Sequence, residues 1–302
     1  MKKSFCINFT FSIAALFCLV ISSCSYGPYP FTFFQQTVDQ RSSEITDFSG
    51  TQHSPSVGTD SEYSFIVITD VHFGSDKSTF QNSFINKFSK LYDTTDTKLK
   101  PHFVVCLGDC SNNGKPDEWQ KYNAFLEQLK DAAASKGFSD LKCYSCIGNH
   151  DCYNLGGSEF SSYVYPYKTA YKFNVKADSS TQGFSYYFLD TANATLGKNQ
   201  MKSFKQHLAN DSAPKIVMTH YQIYSCGGIL FLIQDYTERN MLLSLFAKNN
   251  IKMVLEGHQH DGASYENNYF KEYTLKSTMK KVFYRITVNE STQQVNIEQI
   301  DF

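Results

Sequence analysis

The stretch Lys252-Met253-Val254-Leu255-Glu256-Gly257-His258-Gln259-His260-Asp261 joins an apolar run to two histidines that lie one residue apart. The apolar run is typical of a buried strand, and the glycine indicates a turn where that strand ends. The histidines would then lie at the carboxyl end of a strand, which is where open α/β sheets place their ligands. Because a histidine pair alone is weak evidence for a site, its meaning depends on the other strand ends of the chain.

Four earlier apolar runs also end in side chains of the kinds that bind metals. The five strand ends carry, in chain order, Asp70 and His72, then Asp109, then Asn149 and His150, then His220, and finally His258 and His260. Imidazole and carboxylate groups together suit borderline divalent metals such as Zn, Mn and Fe. So many ligands exceed the needs of one tetrahedral site, and they predict two metals that share a bridging carboxylate.

The spacing within these strand ends also suits a metal site. The side chains of Asp70 and His72 can point the same way from an extended segment, and the same holds for His258 and His260. A glycine at 108, 148 and 257 allows a sharp turn beside the ligands, where a Cβ would crowd the metals.

Strands and helices alternate from residue 61 to residue 302, which predicts a single α/β domain over that range. The predicted helices cover Phe80–Tyr92, Asp117–Ser135, Lys198–Leu208 and Glu238–Ala247. The tail, Val282–Val288 and Gln294–Ile300, alternates about a polar turn and predicts a closing β-hairpin. The aromatic stretch Cys152–Thr181 has no clear period and predicts loops that cover the site.

The N-terminus has the regions of an export signal. A basic start, Met1-Lys2-Lys3, precedes an apolar segment over residues 9–21 that is short for a transmembrane helix. Ile21-Ser22-Ser23-Cys24 resembles the bacterial lipobox, which implies that residues 1–23 are a lipoprotein signal peptide and that Cys24 carries the lipid. The alternatives are a plain secretory signal or an uncleaved anchor.

The segment that follows is polar. Residues 24–60 are rich in Ser, Thr, Gln, Gly and Pro, which predicts a flexible tether. We therefore expect an exported protein, lipid-anchored to a bacterial membrane on its periplasmic or cell-surface side. Several acyl chains would hold it there, since a single chain binds only marginally.

The charge balance of the chain argues against an extended basic surface. The chain has 28 basic and 29 acidic side chains, so no basic excess indicates a nucleic-acid surface or a polybasic membrane patch. No protein partner is predicted. Six cysteines follow the signal: Cys106, Cys110, Cys143, Cys146, Cys152 and Cys226. We expect buried thiols or structural disulfides, because the one CxxC pair lies in a predicted strand, where its two members face opposite sides.

The ordered blocks resemble a known family, the calcineurin-like metallophosphoesterases. The blocks are Asp70-Val71-His72, Gly108-Asp109, Gly148-Asn149-His150-Asp151, His220 and Gly257-His258-Gln259-His260. The resemblance covers residues 63 to 290, and Phe188-Leu189-Asp190-Thr191 with Gln200 is similar to the phosphodiesterase-type members. It implies a calcineurin-like β-sandwich of two mixed sheets flanked by helices, in four αββα layers.

The resemblance also implies a role for each residue of the blocks. One metal would be held by Asp70, His72, Asp109 and His260, and the other by Asp109, Asn149, His220 and His258. A hydroxide bridging the two metals would attack phosphorus, and the ligands are compatible with Mn, Fe or Zn. His150 matches the family histidine beside the leaving oxygen, and Asp151 would orient either His150 or a ligand.

One departure from the family pattern narrows the range of expected substrates. The Ser/Thr protein phosphatases of the superfamily carry Gly-Asp-x-x-Asp-Arg-Gly, whereas this chain has Gly108-Asp109-Cys110-Ser111-Asn112-Asn113-Gly114. The missing Asp and Arg make phosphoprotein hydrolysis a poor expectation. Asn112 and Asn113 are either phosphate contacts or simple turn residues.

These observations favour a membrane-tethered, dinuclear-metal phosphoesterase acting on a small phosphomonoester or phosphodiester such as a nucleotide. The alternative is a non-catalytic surface lipoprotein, an adhesin or receptor, that uses the fold as a scaffold. Degenerate members of enzyme families usually lose ligands, and this chain keeps the full set. Specificity would be set by the loops Gly74–Thr79, Cys152–Thr181 and Tyr221–Asp235.

Overall fold

The computed structural model describes residues 36–50, 53–224 and 231–302, which form strands, helices and short 3₁₀ turns. The strands are β1 (Thr46–Gly50), β2 (Glu62–Ile68), β3 (Pro101–Cys106), β4 (Lys142–Ser145), β5 (Ala170–Val175), β6 (Phe184–Phe188), β7 (Lys215–Met218), β8 (Ile251–Glu256), β9 (Asp261–Glu266), β10 (Lys271–Lys276), β11 (Val282–Asn289) and β12 (Gln294–Asp301). The helices are α1 (Val38–Ile45), α2 (Gln81–Lys90), α3 (Pro116–Ala134), α4 (Gly156–Tyr163), α5 (Lys198–Ala209) and α6 (Tyr236–Lys248).

Two mixed sheets form the centre of the fold. One has the strand order β1-β5-β6-β7-β8-β10-β9 and the other β12-β11-β2-β3-β4. Strands β2, β3 and β4 are parallel, as are β6, β7 and β8. Antiparallel neighbours, such as β11 with β2 and β5 with β6, make each sheet mixed. Because parallel strands end at the same edge of a sheet, the residues that follow β2, β3, β4, β7 and β8 are brought together.

The apolar runs are continuous because their strands are buried on both faces. In β2, Phe65 and Val67 pack between the two sheets, whereas Ile66 and Ile68 pack beneath α2 and α3. A third cluster lies between the other sheet and helices α5 and α6. The layers therefore follow the order helix, sheet, sheet, helix, and the fold predicted from the sequence is confirmed.

The closing hairpin and the main helices lie where the sequence predicts them, but the stretch Cys152–Thr181 does not. It contains α4 and strand β5, which pairs with β6 over Tyr171↔Phe188 to Val175↔Phe184. The expectation of loops was wrong here because an eight-residue helix that includes two glycines gives no clear period.

The predicted tether is also structured over the part that the structure describes. Helix α1 carries a capping box between Thr37 and Gln40, and β1 pairs with β5 in parallel. Val38 and Phe48 are buried. Flexibility was therefore the wrong expectation for residues 36–50, whose order comes from contacts with distant parts of the chain rather than from a local apolar period.

The signal peptide, Cys24 and the rest of residues 1–35 lie outside the described residues, as do 51–52, 225–230 and therefore Cys226. None of the described helices is long and apolar enough to cross a membrane. The five described cysteines are buried free thiols. Cys143 packs in the cluster beneath the helices and Cys146 in the cluster between the sheets, so the two face opposite sides as predicted.

Candidate metal centre

The backbone at the joined strand ends adopts a conformation that side chains rarely tolerate. The φ angle is positive at five of the predicted ligands: 51° at Asp70, 44° at His72, 51° at Asp109, 71° at His258 and 38° at His260. Left-handed conformations cost energy in residues other than glycine, and they concentrate at functional sites. The turns after β2, β3 and β8 therefore direct these five side chains toward one another, at a cost in backbone strain.

The first group of converging donors contains Asp70, His72, Asp109 and His260, whose candidate ligand atoms all lie within 4.8 Å of one another. His72 Nε2 lies 3.2 Å from His260 Nε2 and 3.6 Å from Asp109 Oδ2. His260 Nε2 lies 3.3 Å from Asp70 Oδ1. Two imidazole nitrogens and two carboxylates that face one another this closely form a site for a divalent cation.

A second group contains Asp109, His220 and His258, and it shares Asp109 with the first. His220 Nδ1 donates to the Leu107 carbonyl at 2.8 Å, so Nε2 carries the lone pair of the neutral ring. Asn149 Nδ2 donates to the Tyr153 hydroxyl, which directs Asn149 Oδ1 toward His220.

The Asn149 Oδ1 and His220 Nε2 atoms lie 3.1 Å apart. Two acceptors at this distance need a cation or a proton between them, and a metal ion satisfies both. The structure thus brings together every metal ligand that the sequence predicts, in two groups joined by one carboxylate.

The electrostatics of the cluster also call for positive charge. Burial opposes the charged form of His220, but Asp109, Asp70 and the Leu107 carbonyl outweigh it and raise the pKa of His220 to about 10. Burial lowers the pKa of His72 to about 4, which keeps that ring neutral and able to bind a metal. Burial alone would raise the pKa of Asp109, yet the neighbouring His220 and His150 hold it well below its usual value.

Asp151 supports the ligands from behind. Its carboxylate accepts hydrogen bonds from the Ser111 and Gly148 amides at 2.8 and 2.9 Å and from the Cys110 amide at 3.3 Å. It therefore ties the loop that follows Asp109 to the loop that carries Asn149. Burial, followed by repulsion from Asp109, raises the pKa of Asp151 to about 7.

His150 is oriented by a main-chain oxygen. Its Nδ1 lies 2.9 Å from the carbonyl of Asn112, and its amide donates to Asp109 Oδ1 at 2.9 Å. The ring packs edge-on against His72, with centroids 4.5 Å apart. Of the two roles expected for Asp151, the orientation of His150 is thus taken by Asn112, and support of the metal ligands is the one that its contacts serve.

Asn112 and Asn113, in the loop after Asp109, both have hydrogen-bond partners outside that loop. Asn113 Nδ2 donates to Glu118 Oε1 at 3.0 Å, so its amide is directed to helix α3. Asn112 contributes its carbonyl to His150, and contact of its side chain with a phosphate stays a prediction.

The phosphodiesterase-like segment lies behind His220. Thr191 Oγ1 accepts from the amides of His220 and Tyr221 at 3.3 and 2.9 Å. Gln200 Oε1 accepts a hydrogen bond from the Asp190 amide at 2.9 Å, and Gln200 Nε2 donates to the Asp190 carbonyl at 2.8 Å. The segment Phe188–Thr191 and the helix that carries Gln200 are therefore in direct contact.

Sequence reasoning missed three residues around the site. Tyr221 packs over His258 with ring centroids 4.0 Å apart, Tyr153 packs against His150 at 4.7 Å, and Glu118 holds the loop after Asp109. The position of Tyr221 directly after His220 was a usable signal for the first. Nothing local distinguishes Glu118 from an ordinary helical glutamate.

The family model for calcineurin-like phosphoesterases matches residues 63–262. The chain belongs to this family. The match spans every strand end that contributes to the two donor groups. The family uses a dinuclear metal centre, and the donors described above fit it.

Several known proteins are similar to the chain. A protein of Fibrobacter succinogenes named "probable cyclic nucleotide phosphodiesterase" is 25% identical over 229 residues, which cover 73% of this chain and 82% of that protein. The structure of GAP50, the anchor in the inner membrane complex of Plasmodium, is 14% identical with a TM-score of 0.55, over 80% of this chain and 89% of that one. A dimetal phosphatase from Danio rerio is 12% identical with a TM-score of 0.46, over 80% and 99%.

As a member of this family with a full donor set, the chain is a metal-dependent phosphohydrolase whose substrate is a phosphate ester. The GAP50 likeness concerns the fold alone.

Proposed function

We propose that this protein hydrolyses small phosphodiesters, with nucleotides as the favoured class, while anchored to a bacterial membrane through a lipid on Cys24. The observation that carries the catalytic part is the pair of donor groups that share Asp109. Asp70, His72, Asp109 and His260 would hold one divalent ion, and Asp109, Asn149, His220 and His258 would hold the other. When bound, the two ions supply Lewis-acid activation of the ester and of the attacking water.

The side chains of the protein perform the remaining steps. Hydrolysis forms a bond between phosphorus and a water oxygen and breaks the bond from phosphorus to the ester oxygen, which must receive a proton. His150 is the group to supply that proton, since its ring packs against His72 and its Nδ1 is held by Asn112. In the doubly protonated ring, Nε2–H carries the proton that is transferred.

Two observations support a diester rather than a phosphoprotein. The loop after Asp109 lacks the Asp and Arg of the protein phosphatases, and the sequence Phe188-Leu189-Asp190-Thr191 followed by Gln200 is similar to the phosphodiesterase-type members. The relative from Fibrobacter succinogenes carries the name of a cyclic nucleotide phosphodiesterase, which favours cyclic nucleotides as first test substrates.

The test is hydrolysis of 3′,5′-cyclic AMP, bis-p-nitrophenyl phosphate and p-nitrophenyl phosphate by the full chain in detergent, loaded with Mn, Fe or Zn. We expect diester turnover that exceeds monoester turnover, and its loss in an Asp109→Asn variant. His102→Asn, which changes a histidine outside the donor groups, should keep the activity. A preference for the monoester would overturn the diester assignment.

The membrane anchor rests on the sequence of residues 1–24. It is tested by expressing the chain in a bacterium fed with labelled palmitate and separating the membranes. Wild-type protein should carry label and sediment with the membrane, and Cys24→Ala should lose both properties. An unlabelled but membrane-bound wild type would instead favour an uncleaved anchor.

The scaffold function makes a different prediction. A non-catalytic lipoprotein of this fold would lack bound metal or would hold it without turnover on any ester. Metal analysis of the purified protein separates these outcomes from the enzyme, because a protein with two metals per chain and diesterase activity excludes the scaffold.

A further inference from the structure

The hydrogen bond from His150 Nδ1 to the Asn112 carbonyl is made to a loop, not to a rigid strand. Asn112 lies between Asp109 and the start of helix α3, and its amide donates to the Phe73 carbonyl at 2.9 Å. The direction of the His150 ring therefore depends on whatever fixes residues 111–115.

Asp151 holds the start of this loop through the Ser111 amide, and Glu118, in the first turn of α3, holds the part that follows Asn112. Its Oε2 accepts from the Asn113 amide at 2.6 Å and from the Lys115 amide at 3.3 Å, and its Oε1 accepts from Asn113 Nδ2 at 3.0 Å. The side chain is only 3% exposed. A carboxylate that is this buried is retained only where its oxygens are hydrogen-bonded, and here all three donors belong to the loop.

Glu118 also contacts the loop that follows His72. A Cβ built on Gly74 would lie 2.6 Å from Glu118 Cδ, so the glycine leaves the space that the carboxylate occupies. Glu118 thus lies between the segment that follows His72 and the segment that follows Asp109. His72 and Asp109 both belong to the first donor group.

The simpler interpretation is that Glu118 only caps its helix. In a capping box the N3 glutamate accepts from the amide of the N-cap residue, which here is Lys115. That bond is the longest of the three, and the two shorter ones go to Asn113, next to the carbonyl that receives His150. Capping therefore accounts for one contact, and the other two serve the loop.

We infer that Glu118 is a positioning residue, which holds the Asn112 carbonyl so that His150 presents its proton to the leaving oxygen. This inference rests on the proposed function of His150. The motif of the Ser/Thr protein phosphatases places an Asp in this loop, and this chain lacks it. Here the carboxylate of Glu118, on the neighbouring helix, positions His150 indirectly, through the main chain of Asn112 and Asn113.

The kinetic test exploits the leaving group. A proton donor matters most when the departing alcohol is a weak acid, so bis-p-nitrophenyl phosphate needs it little and diphenyl phosphate needs it much. In Glu118→Gln, which keeps the shape but removes one acceptor, we expect kcat for diphenyl phosphate to fall at least about tenfold, with KM and p-nitrophenyl turnover nearly unchanged. His150→Ala should show the same selectivity, more strongly.

Glu127→Gln is the matched control, because Glu127 lies on the same helix, is exposed and pairs with Lys130. It should alter neither substrate. Equal losses on both substrates in Glu118→Gln, or no loss on either, would overturn the positioning role. If the wild type hydrolyses neither diester, the proposed function fails, and the second measurement decides the inference by itself.

That measurement is the long-range ¹H–¹⁵N spectrum of protein labelled at histidine, with His150 assigned from the His150→Ala variant. At a pH at which the His150 ring is neutral, the wild type should show the ring protonated at Nδ1 only, as the bond to Asn112 requires. Glu118→Gln should shift the His150 signals toward a mixture of tautomers, while Glu127→Gln leaves them in place. Unchanged His150 signals in folded Glu118→Gln protein would refute the inference without reference to activity.

Discussion

Arg41 and Asp190 form a buried two-pronged ion pair that joins helix α1 to the loop after strand β6. Arg41 Nε donates to Asp190 Oδ2 and Nη2 to Oδ1, each at 2.9 Å, and both side chains are fully buried. Nη2 also donates to Asn193 Oδ1 at 2.8 Å. Because Thr191, the next residue, accepts from the His220 amide, the pair lies directly behind the metal centre.

Removal of Arg41 should therefore destabilise the whole domain. Arg41→Met leaves the Asp190 carboxylate buried without its partner, and we expect a loss of about 3–5 kcal/mol in the free energy of unfolding. The double variant Arg41→Met/Asp190→Leu should lose less than the single one. Urea unfolding of the three proteins measures this, and a cost below about 1 kcal/mol for Arg41→Met would show that the pair is not important.

Truncation tests the same connection at the level of the chain. A protein of residues 36–302 should unfold in one cooperative transition, because it retains α1, β1 and the ion pair. A protein of residues 61–302 would uncover the edge of β5 and the apolar surface that Phe48 covers, and we expect it to aggregate. Comparable solubility and melting temperature for the two proteins would contradict this expectation.

The two donor groups should lose their metals differently. His260 belongs to the first group only, whereas Asp109 belongs to both. His260→Ala should lower the metal content toward one ion per chain, and Asp109→Asn should reduce binding at both positions. Elemental analysis after gel filtration gives the stoichiometry, with His102→Asn as a control that keeps two metals. Loss of both metals from His260→Ala alone would mean that the groups do not act as separate sites.

Gly148 is needed because the bridging carboxylate packs against its backbone. A Cβ at this position would lie 2.9 Å from Asp109 Cγ and closer still to Oδ1. Gly148→Ala should displace Asp109 and lower the diesterase rate at least about a hundredfold, since small displacements of reacting groups have costs of this order. Overpacking should also cost about 1–3 kcal/mol of stability.

Gly137→Ala separates the loss of diesterase rate from the loss of stability. Gly137 has a φ of 90° but open space where a Cβ would be added, and it belongs to neither donor group. Its alanine variant should lose stability through backbone strain and keep its rate. A Gly148→Ala protein that retains full activity would show that the bridge tolerates the added carbon.

The amino-acid sequence by itself determined the strands and the side chains that end them. Runs such as Phe65–Ile68 read as buried strands because both of their faces are apolar, and the residues directly after them are fixed at the sheet edge by chain connectivity. Asp70, His72, Asp109, His220 and their companions could be found from this pattern alone. The closing hairpin was predictable for the same reason, since its period and its turn are local.

Only the tertiary structure decided how those ligands are supported. Arg41 and Asp190 lie 149 positions apart, and neither carries a local signal of its partner. The order of residues 36–50, the Asn112 carbonyl behind His150 and the three bonds of Glu118 likewise depend on how the chain returns on itself. Buried polar groups take whichever partner the packing brings within hydrogen-bond distance, so their roles follow from the fold and not from sequence spacing.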